Sequence, residues 1–336
     1  MPLTTTTAGT YDALLSSTLA KYVQKNLENT IFDDLVFFYV LTGRHQKGMA
    51  EKNRGVTSGK KPLAGGESIV IPLLYEANNT SGSYNGYDLL PTTPQDGITI
   101  CQYAWKQTSV SISLSGREER INSDAETKML DLLRSKIQQA EMSLSDTMSQ
   151  QLFSDGTGNS SKDITGLQAI VANTPTTGTL AGINRATYTW WQNQYQNSMG
   201  SFAAAGIRNM RTMFNLCSRG QTHPELLLTT RTIHEYYEDA LEPQLRYSNT
   251  NLADAGFTNL DFNGMPVVYD LDCPSGVMYF LNFKFLQLVV HKDADFTSTP
   301  FQKPENQDAK VAQILWQGNL TCSNCRYQGI ITGITQ

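Results

Sequence analysis

Charge is scarce in this chain: of 336 residues only 17% are charged, while 40% are hydrophobic, which excludes a highly charged disordered polymer. Basic residues are the minority, 26 against 31 acidic, for a net charge of -5. With a pI near 5.4, that balance argues against a protein that grips nucleic acid through a basic stripe. Long apolar runs are missing too. Leu35 to Leu41 and Val277 to Phe283 are the longest, far short of the roughly 20 residues of a membrane helix. The first ten residues have neither a basic start nor an apolar core, which argues against a secretory signal. Cysteine is sparse and odd in number, Cys101, Cys217, Cys273, Cys322 and Cys325, a pattern that fits a reducing compartment better than a disulfide framework.

Chemistry-bearing motifs are equally thin. The four histidines, His45, His223, His234 and His291, sit in unrelated contexts, and no Gly-x-Ser-x-Gly or His-Glu-x-x-His run occurs, so neither a hydrolase elbow nor a zinc protease helix is supported. His234 falls among acidic residues, where a solvated helix face is expected. Asp155 to Gly158 follows a helix rather than a strand and lacks the closing Gly-Lys-Ser/Thr, which excludes a phosphate-cradling Walker loop. Cys322-Ser-Asn-Cys325 lacks two further ligands at zinc spacing, and it lies between strand-like runs rather than in the βαβ context of a redox dithiol. A buried or turn-located thiol pair is the expectation. For Trp190 and Trp191, with Tyr188 and Tyr195 nearby, Arg185 is the only basic neighbour. Packing against the core is expected there, not base stacking. The residues therefore point to no enzyme, no metal and no cofactor.

The length, at roughly 150 residues per domain, suggests about two domains, but the texture reads as arms on a core. Leu19, Val23, Leu27 and Ile31 are spaced as one face of an amphipathic helix, whole or in two pieces, ending near Gly43. Residues 44–66 are basic and glycine-rich and read as a loop holding Lys60 and Lys61. Strand-like runs follow at Ser68 to Tyr75 and Ile98 to Gly116. In the second, Val110, Ile112 and Leu114 alternate with serines, giving one apolar face. A strand arm of about 20 residues would reach about 60 Å, beyond its own domain. From Ala125 to Leu152 apolar residues keep spacings of 3 and 4 behind a Ser123-to-Glu126 capping box, predicting a spine helix about 45 Å long. Helices are then expected over Ser201 to Leu216 and Arg231 to Leu241, the latter stopped by Pro243. A strand is expected at Glu225 to Thr229, with a hairpin turn at Asn263-Gly264. Further strands are expected between Gly276 and Ile334. The fold class is α+β.

This order resembles the major capsid proteins of tailed double-stranded DNA bacteriophages, the Hong Kong 97-type fold. Local wording is similar over residues 31–290: Gly65-Gly66 before Ile71 to Tyr75, Tyr84-Asn-Gly-Tyr87-Asp88 at an arm tip, Trp105-Lys-Gln107, and Val110 to Glu118. Thr165-Gly-Leu167, Gly182-Ile-Asn-Arg185 and Trp190-Trp191 continue the series. The resemblance implies an N-terminal arm at 1–45 and an extended β-hairpin loop at 46–116. It also implies a peripheral domain with the spine helix at 117–158 and 291–336, and an axial domain at 159–290. The implied role is a subunit of hexamers and pentamers in an icosahedral virion shell that encloses double-stranded DNA without reading its sequence and without a membrane. Portal and decoration proteins would be partners. The lack of a long charged helical prefix before the arm implies either a separate scaffold protein or a sequence that is already mature, and the Met1 start favours the separate scaffold. Candidate contact residues between subunits are Lys60, Lys61, Tyr84, Tyr87 and Trp105, with Arg117, Glu118, Glu119 and Arg120 as an intersubunit ion-pair cluster. Lys60 or Lys61 is also the candidate for the covalent cross-linking found in some members. An encapsulin-like nanocompartment of the same fold, or a cytosolic enzyme with an unrecognised site, is the alternative.

Overall fold

The computed structural model describes residues 35–42, 59–121, 132–245 and 260–336. Of the expected N-terminal helix it shows the end, Val36–Thr42. The rest of that helix, the basic stretch through residue 58 and the Ser123-to-Glu126 capping box lie outside the described residues.

The chain is α+β, built on two principal sheets. The five-stranded one is organised around Ala309–Cys322, which pairs antiparallel with Lys106–Ser115 over residues 309–318 and with Leu286–His291 over residues 318–322. The burial of this long strand follows its surroundings. It alternates between Ala312 and Trp316, where one face is covered, and is buried without a break from Gly318 to Cys322, where both are. In its neighbour, Ile112 and Leu114 turn inward while Ser109, Ser111 and Ser113 face outward, as the alternation predicts. Lys60–Leu63 adds a parallel strand beside Leu286–His291. Lys60 and Lys61, expected in a loop, are therefore in a strand. Glycine-rich local sequence hides this, because the pairing partner lies more than two hundred residues away.

Across the base of this sheet runs the spine helix Leu132–Phe153, whose 22 residues span about 33 Å. Ala140, Leu144, Met148 and Leu152 form its buried stripe. The short helix Val36–Thr42 docks against its far end, with the Phe37 and Phe153 rings 5.3 Å apart. Asp270 receives the Phe37 backbone N–H at 2.9 Å, which gives that helix end a hydrogen-bond partner it could not find within its own turn.

The six-stranded sheet runs in the order Asp261–Phe262, Met265–Tyr269, Leu226–Thr229, Val277–Leu281, Gly329–Thr332, Gln194–Gln196. Its two faces enter two cores. Leu227, Met278, Phe280 and Ile331 pack with Met210, Met213 and Tyr237 of the helices Phe202–Cys217 and Arg231–Leu245. Leu226, Leu228, Tyr279, Leu281 and Ile330 join the core around the spine helix. A sheet covered on both sides requires strands apolar at every position, which explains the unbroken Leu226 to Leu228 run. At the turn, Asn263 and Gly264 take φ of 50° and 79°, the pair of left-handed residues that a two-residue hairpin demands.

Two expectations need correction. The helix Arg231–Leu245 continues through Pro243. The lost bond falls on the carbonyl of exposed Asp239, which water can satisfy, so the proline does not stop the last turn. The expected boundary after residue 290 falls inside the strand Leu286–His291, and the C-terminal segment does not stay in one sheet: Gly329–Thr332 lies in the six-stranded sheet, flanked by Val277–Leu281 and Gln194–Gln196.

Candidate functional site

The feature that stands apart from both sheets is a two-stranded hairpin, Ile69–Leu74 with Ile98–Tyr103, in register from Ile69 opposite Tyr103 to Leu74 opposite Ile98. Its inward face carries Ile69, Leu73, Cys101 and Tyr103, all buried. Its outward face carries Val70, Pro72, Leu74, Ile98, Ile100 and Gln102, all exposed; Leu74 is 81% exposed and Ile98 69%. Beyond it, residues 75–97 form a tip whose turn is held by Asp88, which accepts the Asn85 N–H at 2.7 Å and donates its own N–H to the Asn85 carbonyl at 2.8 Å. Tyr84, Tyr87, Leu89 and Leu90 project from this tip, Leu89 at 99% exposure. Exposed apolar side chains are ordinary when scattered; a contiguous face with an apolar tip marks an interaction surface.

The tyrosines Tyr84 and Tyr87 therefore sit where the sequence placed them, at the tip. The outward face was not singled out in the sequence, although the Ile69 to Leu74 run is apolar at every position, the signal of a strand with two faces to cover. The expected single strand from 98 to 116 is divided at Ala104-Trp105. There the Ala104 carbonyl accepts Asn319 Nδ2 at 2.9 Å and Trp105 Nε1 donates to the Gly66 carbonyl at 2.9 Å, so the chain leaves the body sheet and enters the arm. Trp105 also meets His291 edge to face at 5.8 Å. It roots the arm within its own chain.

In the charged cluster after the arm, Glu118 and Arg120 have partners within the chain. Glu118 is buried; its carboxylate accepts the Ser115 N–H at 2.9 Å while the Glu118 N–H reaches Ser115 Oγ at 3.2 Å, a capping box at the start of the helix Gly116–Ile121. Lys136 of the spine helix stands 3.0 Å from the same carboxylate. Burial pushes the Glu118 carboxyl up, but the Ser115 N–H and Lys136 outweigh it and hold the group below its ordinary range. Arg120 pairs with Asp308, and Arg117 is exposed. Lys60 pairs with Asp295, and Lys61 is exposed on its strand. The side chain of Glu119 lies outside the described ones.

The remaining motifs resolve into packing. Trp191 is buried in a short 3-10 turn and donates Nε1 to the Leu180 carbonyl at 3.1 Å. Trp190 stacks on Tyr75 at the arm's base, 5.3 Å between centroids. His234, expected on a solvated face, is covered by Tyr269, with ring centroids 5.3 Å apart. Its burial holds the ring's pKa below the usual value despite Glu238 at 3.6 Å. Among the described residues no three His, Cys, Asp or Glu side chains are arranged for a metal. An open groove of about 360 Å³ between the helices Phe202–Cys217 and Arg231–Leu245 is lined mainly by alanines and aromatic rings.

No protein-family model matches the sequence, and no curated protein is a significant match. Solved structures are similar in fold. The capsid asymmetric unit of cyanophage A-1(L) superposes over 95% of this chain and 98% of its own, with a TM-score of 0.65 and 19% identity. A structure from Mycobacterium phage Bobi covers 94% and 96%, with a TM-score of 0.57 and 12% identity. The holo-SrpI encapsulin complex of Synechococcus elongatus PCC 7942 covers 93% and 94%, with a TM-score of 0.55 and 8% identity. The architecture is thus that of shell-building proteins. More narrowly, the chain has the Hong Kong 97-type capsid fold, as its sequence resemblance implied.

Proposed function

We propose that this chain is the major capsid protein of a tailed double-stranded DNA bacteriophage, a non-catalytic subunit that assembles into hexamers and pentamers of an icosahedral shell. The observation that carries this reading is the arm. A hairpin apolar on both faces, with one face bare in the single chain, gains its second cover when a neighbouring copy lies against it. In this reading the hairpin and tip overlie a neighbour, the five-stranded sheet and spine helix form the peripheral domain, and the six-stranded sheet with its two helices faces the symmetry axes. The net charge of -5 suits a container whose wall should not adsorb its genome. A separate scaffold, a portal and decoration proteins are the partners this role needs.

The test is negative-stain microscopy and sedimentation of the protein expressed alone and with the candidate scaffold encoded beside it. Closed shells, or hexamers and pentamers that close on scaffold addition, support the role. Shells isolated from the native source with protein cargo in place of DNA would assign it to nanocompartments instead. A monomer with no tendency to assemble would refute it.

A further inference from the structure

The two long edges of the arm hairpin are not alike. In an antiparallel pair, opposed residues alternate between exchanging both backbone bonds and turning their N–H and C=O sideways, to the outer edge of each strand. The Tyr75 N–H donates to the Gly97 carbonyl at 3.0 Å, and Leu74 stands opposite Ile98, which sets the phase. Leu73 with Thr99 and Ile71 with Cys101 are therefore bonded pairs. Val70, Pro72 and Leu74 turn their backbone groups to one edge, and Ile98, Ile100 and Gln102 turn theirs to the other. Two features agree with this phase. Pro72, which has no N–H to give a ladder, stands at an edge-facing position directly opposite Ile100. The Gln102 N–H leaves the hairpin altogether and donates to the Ala181 carbonyl at 2.9 Å.

A strand edge left open is a template for another chain, and folded proteins blunt such edges with proline and charge. The Ile69–Leu74 edge is interrupted by Pro72. Lys60–Leu63, at the edge of the five-stranded sheet, carries Pro62 beside the exposed Lys61. Ile98–Tyr103 carries neither proline nor charge. Ala181 takes the end of its edge nearest the body, and among the described residues the sideways N–H and C=O of Ile98 and Ile100 have no partner.

We propose that a neighbouring copy of this chain adds an extended strand along the Ile98 to Ile100 edge, bonded through the N–H and C=O of both residues. This rests on the shell reading above and adds to it the edge that is used and the kind of bond that is made. A second copy is the occupant because the edge is continuous with the bare face. Ile98 and Ile100 are 69% and 54% exposed, so the copy that covers their side chains passes beside the same two stretches of backbone. An apolar face alone lets a partner slide; main-chain bonds to an edge fix its register.

The intact protein is compared as free subunits and as shells by hydrogen exchange resolved to single amides. In free subunits Ile98 and Ile100 should exchange fast and Thr99 and Cys101, bonded across the hairpin, slowly. In shells Ile98 and Ile100 should slow by about tenfold or more, while Val70 and Leu74, on the same face but the blunted edge, should hardly change. Ile100→Pro removes the sideways N–H and none of the hairpin's own bonds. It should leave the urea midpoint of the subunit near wild type and raise the concentration needed for assembly about tenfold. Ile100→Val keeps the N–H with a side chain of similar size and should assemble as wild type does. If the proline variant fails to fold, the exchange pattern of the wild type decides. Equal slowing of all four amides, slowing at Val70 and Leu74 alone, or equal assembly of the two variants would overturn the proposal. Shells whose Ile98 and Ile100 amides exchange as in the free subunit would overturn the added strand and leave the shell reading standing; a chain that never assembles would overturn both.

Discussion

The bare face of the arm makes a quantitative demand. Leu74 and Ile98 are directly opposite one another across the hairpin and are 81% and 69% exposed, so in the free chain both side chains are mostly in water. Fully burying such a side chain is worth about 1.5–3 kcal/mol. Scaled by exposure, a neighbour that covers both gains about 2.3–4.5 kcal/mol per arm contact. The double substitution Leu74→Glu with Ile98→Lys removes that gain and places opposite charges across the register, a pair worth roughly 0.2–1 kcal/mol to the hairpin itself. The isolated subunit should therefore unfold within about 1 kcal/mol of wild type, while pairwise association weakens by about 45- to 2,000-fold. The assay is paired: urea unfolding of the unassembled subunit, and particle yield by sedimentation and microscopy at matched concentration. Unchanged yield would show that this face covers nothing in the shell. A large loss of subunit stability would show that the two side chains are not in water, and either result would sink the reasoning.

Further outcomes follow from the same geometry. Glu118→Gln unseats Lys136 and weakens the cap on Ser115, and should cost about 1.5–3 kcal/mol in urea unfolding at pH 7. Because the folded state holds this carboxyl below its ordinary value of 4.5, its contribution is present above that pH and fades as pH falls through the lower, folded value; the variant should lose that acid slope. Asp270 behaves oppositely. Burial raises its carboxyl above 3.8 although it accepts the Phe37 N–H, so the stability linked to it is full below 3.8 and declines as pH rises through the folded value. Asp270→Asn, which keeps an acceptor, should flatten that decline in a pH series of unfolding curves. Gly166→Ala should destabilise by about 3 kcal/mol in the same assay, since a Cβ there would lie 2.2 Å from the Ser154 carbonyl oxygen at the end of the spine helix. A loss below about 0.5 kcal/mol would mean that the close approach relaxes freely.

What could be read without a structure was what depends on near neighbours along the chain. The stripe from Ala140 to Leu152, the serine-backed strand from Val110 to Leu114 and the Asn263-Gly264 turn were legible, because periodicity and left-handed backbone are set within a few residues. So were the order of elements, the resemblance it carries and the exposed tip with Tyr84 and Tyr87. Contacts at long range were not legible. Nothing local marks Lys60–Leu63 as a strand, since its partner Leu286–His291 is remote. Nothing local shows that Glu118 pairs with Lys136 and Arg120 with Asp308 within the chain. Arg185 and Cys325 are 140 residues apart, and only the folded core makes them a pair.

An α+β body with a long spine helix and an arm follows from local order along the chain, because side-chain polarity and backbone preference act over a few residues and repeat with the period of each element. Which faces are covered was settled by the folded arrangement. Burial depends on what the rest of the chain brings alongside, and it left the outer face of the hairpin bare, the feature on which the proposed assembly rests.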